Sequence, residues 1–254
     1  MSLDGNLLEH CVALAQQAGE SILKHYSSDS TSFNRKADHS PVTEADLEAN
    51  QIITQGLKDL EFPIISEEDP ILPYSERKKW DRFWLVDPLD GTKEFLKRNG
   101  EFTVNIALIE NGVPTIGIIH IPVTHTTYFG SENGSYKLER TDQSGSKPER
   151  IYSELADPHQ ELTLVESRSA PSSGDHPVLK DLRIKERIHV GSSIKFCWLA
   201  EQKADVYFRI ARSMEWDVAA GDGIYRFSSR STPHPSPFTY NKEILENGPF
   251  LLGL

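Results

Sequence analysis

The run Phe83-Trp84-Leu85-Val86-Asp87-Pro88-Leu89-Asp90-Gly91-Thr92 governs the reading of the chain. Its first four residues are aromatic or branched and stop at an Asp-Pro pair, the pattern of a short buried strand ending in a turn. Pro88 stiffens that turn, so Asp87 and Asp90 can converge with the Leu89 carbonyl between them as a third hard oxygen. Gly91 lets backbone approach a ligand closely. The N–H groups at the start of a helical turn predicted over 93–96 suit a phosphate, and Thr92 offers a hydroxyl to a water or an oxyanion. An Asp-rich turn that only caps a helix has the same composition.

Upstream, Leu7, Cys11, Leu14, Ala18 and Ile22 recur at helical spacing and predict a helix over 7–23. A second helix starts near Thr43 with Leu47, Ile53, Leu57 and Leu60 as its apolar stripe, and Thr43 and Asp46 have capping-box spacing. A short apolar run, 62–65, leads into Ser66-Glu67-Glu68-Asp69, again at the expected end of a strand. Downstream, 102–109 and 113–121 flank Asn111-Gly112, and 127–130 and 135–138 flank Asn133-Gly134; these are hairpin signals and predict an antiparallel meander.

Residues 141–153 lack apolar periodicity and are expected to form a surface crossover. Strands over 162–166, 188–190 and 205–209 then alternate with helices over 177–182, 193–201 and 216–227, which predicts a largely parallel sheet. The Ser/Pro-rich stretch 228–237 and the remainder to 254 are too short for another domain. The expected architecture is α/β, an α+β layered sandwich. An N-terminal α+β subdomain (1–150) would carry the meander, and a C-terminal α/β subdomain (151–254) the mostly parallel sheet.

A chain of 254 residues with 37% hydrophobic residues can bury one large core or two fused ones. Its 27 Lys and Arg against 38 Asp and Glu give a net charge of −11, which argues against a nucleic-acid partner. There is no uninterrupted apolar stretch of membrane-spanning length and no export leader, and Cys11 and Cys197 read as reduced core residues; the expected setting is cytoplasmic. Gly221-Asp222-Gly223 lacks the third glycine of a dinucleotide fingerprint and falls inside a predicted helix. P-loop, serine-hydrolase and zincin motifs are missing.

The acidic run at 66–69 is as readily a solvated loop, Asp46 as readily a helix cap, and Asp217 behind Trp216 as readily a carboxylate favoured by a helix N-terminus. Together with Asp87 and Asp90 they amount to an all-oxygen donor set with no matching Cys or His cluster, which selects Mg²⁺ or Mn²⁺ over zinc. If folding gathers these carboxylates, a cation must offset their mutual repulsion.

Ser66 to Asp69, Trp84 to Phe95 and Trp216-Asp217-Val218-Ala219-Ala220 resemble the inositol monophosphatase superfamily in content, order and spacing. Lys36-Ala37-Asp38-His39-Ser40-Pro41-Val42-Thr43, Asn99 to Asn105, and Gly191-Ser192-Ser193-Ile194-Lys195-Phe196-Cys197 are similar to its CysQ-type branch, the 3'(2'),5'-bisphosphate nucleotidases. The likeness spans about residues 5 to 225 and departs at Ser228 to Pro237, where many relatives carry a Gly-rich turn.

The resemblance implies αβαβα layers and a phosphatase that removes the 3'-phosphate of adenosine 3',5'-bisphosphate and of its 5'-phosphosulfate analogue. By the same likeness, Glu67, Asp87 and the Leu89 carbonyl hold one Mg²⁺, and Asp87, Asp90 and Asp217 a second, with room for a third, weak ion near Glu67. Asp46 would accept a hydrogen bond from Thr92 to orient and deprotonate the attacking water, with Glu67 beside them. Gly91, Ser192, Lys195 and Arg209 would contact phosphate or ribose. Lithium sensitivity and, in some relatives, peripheral attachment to the inner membrane face also belong to the family. A monomer and a homodimer both remain open. The alternatives are an inositol monophosphatase-like enzyme and a non-catalytic metal- or nucleotide-binding regulator.

Overall fold

The computed structural model describes residues 3–28, 33–35, 41–140, 147–169 and 176–254. The motif residues Lys36 to Ser40 and the first half of the expected crossover, 141–146, lie outside them.

A seven-stranded sheet forms the first half. It contains β3 (Ile64–Ser66), β4 (Arg82–Asp90), β5 (Thr103–Glu110), β6 (Val113–Ile121), β7 (Thr126–Ser131), β8 (Gly134–Glu139) and β9 (Glu149–Ile151) in that order. Only β3 and β4 run parallel; the rest is the expected meander. Asn111 and Gly112 both have positive φ, 52° and 75°, as an Asn-Gly hairpin turn requires. The crossover is not wholly irregular: β9 pairs with β8 as an edge strand, because Ile151 can be buried there. A small antiparallel pair, β1 (Phe33–Arg35) with β2 (Pro41–Thr43), precedes the second helix.

Alternation along β4 assigns the layers. Trp84 and Val86 face α1 (Leu3–Tyr26) and α2 (Glu44–Leu57), packing with Cys11, Leu14, Ile22, Ile53 and Leu57. Phe83 and Leu85 face the opposite way, toward α5 (Ile194–Ala200) and α6 (Glu215–Phe227), where Phe196, Val218 and Ile224 complete the larger core. The helices predicted for this chain are all present except that over 177–182, which is a single 3₁₀ turn at Pro177–Leu179 because strand structure begins at Arg183. Leu47 is the exception on the α2 stripe: it is 52% exposed, since the covered face runs through Ala45, Ala49 and Ile53 instead.

Beyond α5 and α6 lies a four-stranded sheet of β11 (Arg183–Val190), β10 (Glu161–Ser167), β12 (Val206–Arg209) and β15 (Phe250–Leu252), in that order. The first three are mutually parallel, as βαβ connections dictate, and β15 adds an antiparallel edge. Val165 and Tyr207 point inward to the helices; Leu164, Val206 and Phe208 point outward and are covered by Leu179. The stretch 228–237, where the family likeness stops, is tied down by Ser153 N donating to Ser228 O at 3.0 Å and by His234 stacked on Tyr225. Helix α6 approaches the first sheet closely, since a Cβ at Gly117 would stand 2.2 Å from the Ala220 carbonyl oxygen. Cys11 and Cys197 are buried free thiols, and burial pushes the Cys11 thiol up to about 12, so both serve as core. Among the described residues no helix is long and apolar enough to cross a membrane.

Candidate active site

The site forms where β3 and β4 end beneath the N-terminus of α6. In a regular strand, residues three apart point to opposite faces, so Asp87 and Asp90 ought to diverge. They do not. Asp87 pairs with Asn105 and Asp90 with Thr103, so three steps on β4 match two on β5. The extra residue falls at Pro88-Leu89, where proline has no N–H to lose from the ladder. This bulge returns both carboxylates to the α6 side.

Strand β3 lies in register with β4, Ser66 opposite Val86, and Glu67 N donates to Val86 O at 3.1 Å, which sets Glu67 beside Asp87. Asp217 arrives from the first turn of α6, where its Oδ2 accepts the Met214 N–H at 2.9 Å. Ligand oxygens of Glu67, Asp87 and Asp217 lie within 4.8 Å of one another. Asp90 lines the same cleft as Asp217, and its Oδ2 accepts Ser192 Oγ at 2.7 Å and Ser193 N at 2.6 Å.

Burial pushes the Asp87 carboxyl well above its usual range, and Glu67, Asp90 and Asp217 push it in the same direction. Asp217 is pushed up to about 7 by burial, then by Asp90 and Glu67. Carboxylates this close, one of them buried and the others half-buried, are unfavourable in their charged form without a counter-charge. Their donors are oxygen alone, which fits a hard divalent cation.

Asp46 keeps both roles open to it. Its Oδ2 accepts Thr43 N at 2.7 Å and Thr43 Oγ1 at 2.6 Å, closing the cap of α2, while Oδ1 accepts Thr92 Oγ1 at 3.1 Å. Thr92 opens α4 (Thr92–Leu96) and lies 3.3 Å from Leu89 O. Burial raises the Asp46 carboxyl despite these hydrogen bonds, which act to lower it. Gly91 has φ +92°, and a Cβ there would stand 3.0 Å from Glu101 O and 3.3 Å from Ser192 Cβ. Here glycine permits two loops to meet.

Ser192 sits in a left-handed turn, φ 56°, with its hydroxyl donating to Asp90 and 2.6 Å from Thr103 Oγ1. The Lys195 ammonium is buried and donates to the carbonyls of Val190, at 3.2 Å, and of Ser192. Burial lowers it to about 8. Arg209 lines the cleft with Tyr207, Ser213 and Asp217, and its guanidinium is braced by the carbonyls of Ala211 and Arg212 at 3.1 Å each.

Residue types alone missed the supports. Thr103 Oγ1 and Ser193 Oγ both donate to Asn105 Oδ1, at 3.0 and 2.8 Å, under Asp90. Asn50 holds the acidic loop through Ser66 Oγ at 2.7 Å and Asp69 Oδ1 at 2.8 Å. Buried polar residues on a strand and a helix of otherwise apolar periodicity were the available signal.

The model of the inositol monophosphatase family matches residues 5–226. The chain belongs to the inositol monophosphatase family. That family is metal-dependent, in keeping with the acidic cluster. Among its curated members, the 3'(2'),5'-bisphosphate nucleotidase CysQ of Salmonella typhimurium is 41% identical over 221 residues, 86% of each chain. Its namesake in Escherichia coli K12 is 39% identical over the same length, with the same coverage. The crystal structure of CysQ from Bacteroides thetaiotaomicron, a bacterial member of the family, is 40% identical, covers 97% of this chain and 96% of its own, and superposes with a TM-score of 0.78. The IMPase of Thermotoga maritima shares the fold at a TM-score of 0.70 and 23% identity, covering 88% of this chain and 83% of its own.

Proposed function

We propose that this protein is a 3'(2'),5'-bisphosphate nucleotidase that hydrolyses the 3'-phosphate of adenosine 3',5'-bisphosphate, and of its 5'-phosphosulfate analogue, to the 5'-nucleotide and phosphate. The observation that carries the reading is the meeting of Glu67, Asp87 and Asp217 in a chain about 40% identical to CysQ proteins along most of its length.

Glu67, Asp87 and the Leu89 carbonyl would hold one Mg²⁺, and Asp87, Asp90 and Asp217 a second. When bound, such a pair supplies an acidified water and neutralises charge on the phosphoryl oxygens. The chain does the rest. Thr92 donates its only hydroxyl proton to Asp46, so its lone pairs are turned to accept a hydrogen bond from the attacking water and fix its direction. Asp46, held above its usual pKa by burial, is suited to take up the proton relayed through Thr92. Gly91 and Thr92, at the start of α4, would offer backbone N–H groups to the transferring phosphate.

Ser192 and Arg209 border the cleft on the nucleotide side, Arg209 as its cation. Lys195 acts through backbone: its ammonium fixes the 190–192 turn that presents Ser192 to Asp90. The division at residue 150 belongs to the same reading, residues 1–150 bringing most of the ion ligands and 151–254 bringing Asp217 and the nucleotide contacts.

Parallel turnover assays with adenosine 3',5'-bisphosphate and inositol monophosphate in Mg²⁺ test the assignment. A clear preference for the nucleotide is expected; equal or greater turnover of inositol monophosphate would overturn it.

A further inference from the structure

Glu67 and Asp217 come from opposite halves of the chain, and a turn of the C-terminal segment, residues 241–243, joins α6, which carries Asp217, to the short helix that follows the Glu67 loop. Glu215, the first residue of α6, has no exposed surface. Its carboxylate accepts Asn241 N at 2.7 Å, Lys242 N at 3.0 Å and the Lys242 ammonium at 2.9 Å. On the other side of the same turn, the Arg77 guanidinium donates to Asn241 Oδ1 at 2.8 Å, Lys242 O at 2.6 Å and Glu243 O at 2.7 Å, and Asn241 Nδ2 returns to Arg77 O at 2.7 Å. Arg77 ends the short helix α3 (Tyr74–Arg77), which follows the Glu67 loop, and also holds the Leu72 carbonyl at 3.3 Å.

The turn is thus gripped on two faces: its N–H groups by the α6 end, its carbonyls by the α3 end. Asn241 adopts a left-handed φ of 64°, which aims the groups of the turn to the two sides. The link is reinforced by Glu215 N donating to Leu245 O at 2.9 Å and by pairing of Met214 with Glu246. The two gripping side chains, Arg77 and Glu215, are buried, where hydrogen bonds to a charged group hold one geometry more firmly than in water.

Clustered carboxylates repel one another and would spread if their supports were soft. We propose that Arg77 and Glu215 are positioning residues, clamping the 241–243 turn so that Asp217 is held in register with Glu67 and Asp87, and that this clamp sets the affinity of the site for divalent ions. The inference rests on the reading of those three carboxylates as ion ligands.

The test titrates Mn²⁺ alone into the full-length protein, counting free ion by electron paramagnetic resonance, with melting temperatures taken in chelator. Arg77→Lys retains charge but not the planar fork that spans three acceptors, and Glu215→Gln retains shape but not charge. Each is expected to raise the Mn²⁺ dissociation constant about tenfold or more, as loss of groups that orient metal ligands does. Tyr240→Phe is the control: it removes the 2.7 Å bond from Tyr240 to Asp222, farther along α6, and is expected to lower the melting temperature while leaving the dissociation constant within about twofold.

Should Glu215→Gln fail to fold, Lys242→Gln tests the same clamp from the turn. Unchanged Mn²⁺ affinity in the folded clamp variants would reduce the network to a structural one and overturn the proposal, as would equal weakening by Tyr240→Phe. Failure of the wild-type protein to bind Mn²⁺ would instead remove the ion-site reading itself.

Discussion

Thr92 Oγ1 donates to Asp46 Oδ1 across 3.1 Å, joining the first turn of α4 to the first turn of α2. Because Asp46 is anchored by both Thr43 groups, the direction of the Thr92 hydroxyl is fixed by the cap of another helix. In the proposed mechanism, Thr92→Ala removes the acceptor for the attacking water but none of the carboxylates. The expected result is a kcat lower by about 10² or more with Mg²⁺ affinity near normal, the order of a lost general-base contribution. Steady-state kinetics across a Mg²⁺ series would show the reverse pattern if the hydroxyl is structural.

Asp90 has two tasks, a negative charge toward the cleft and an acceptor for Ser192 Oγ and Ser193 N. Asp90→Asn keeps a carbonyl oxygen for the second task and loses the first. Turnover at saturating Mg²⁺ is expected to fall by about 10³ or more while the melting temperature changes little. Near-normal kcat would remove Asp90 from the ion ligands.

Crowding of Glu67, Asp87 and Asp217 within 4.8 Å leaves the ion-free protein to bear their mutual repulsion or to relieve it by taking up protons. Chelation is expected to abolish turnover and lower the melting temperature, and excess Mg²⁺ to restore both. A ligand at 100 times its dissociation constant adds about 2.7 kcal/mol, which for a chain of this size is a rise of roughly 5 to 10 °C. A melting temperature indifferent to Mg²⁺ would contradict ion binding at the cluster.

His120 makes its own contribution to the pH dependence of stability. It is buried under Gly19 of α1, with Nδ1 2.9 Å from Thr127 Oγ1. Burial lowers it to about 4, with His125 and Arg140 acting the same way. Above pH 6.5 the ring is neutral both folded and unfolded and costs nothing. As pH falls from 6.5 toward 4, the unfolded chain takes up a proton that the folded one refuses at this site, so the His120 contribution to stability declines by up to about 3 kcal/mol. His120→Gln is expected to flatten this part of the profile in urea titrations between pH 7 and pH 4; an unchanged slope would assign the decline elsewhere.

What could be read in the residues was what periodicity and turn chemistry encode locally. Phe83 to Val86 announced a buried strand, Asn111-Gly112 a hairpin, and Cys11, Leu14, Ala18 and Ile22 a helix face. The acidic residues of the site were legible by type, yet their convergence depends on a bulge at Pro88-Leu89 that no local preference demands. Leu47 fitted a helical stripe but lies outside the covered arc, because which face is buried depends on the partner layer. Lys195 illustrates the same limit: a cation beside a cleft was readable, whereas its use on the carbonyls of Val190 and Ser192 depends on the fold of the turn. The clamp of Arg77, Glu215 and 241–243 joins residues more than 160 positions apart and leaves no local trace.

Anomalous diffraction from crystals soaked in Mn²⁺ and the nucleoside 5'-monophosphate product tests the central claim most directly. The expected result is ion density bounded by Glu67, Asp87, Asp90 and Asp217, with the product's ribose toward Ser192 and Arg209. Ordered product with no ion among those carboxylates, or with the four side chains directed into separate regions of solvent, would contradict it.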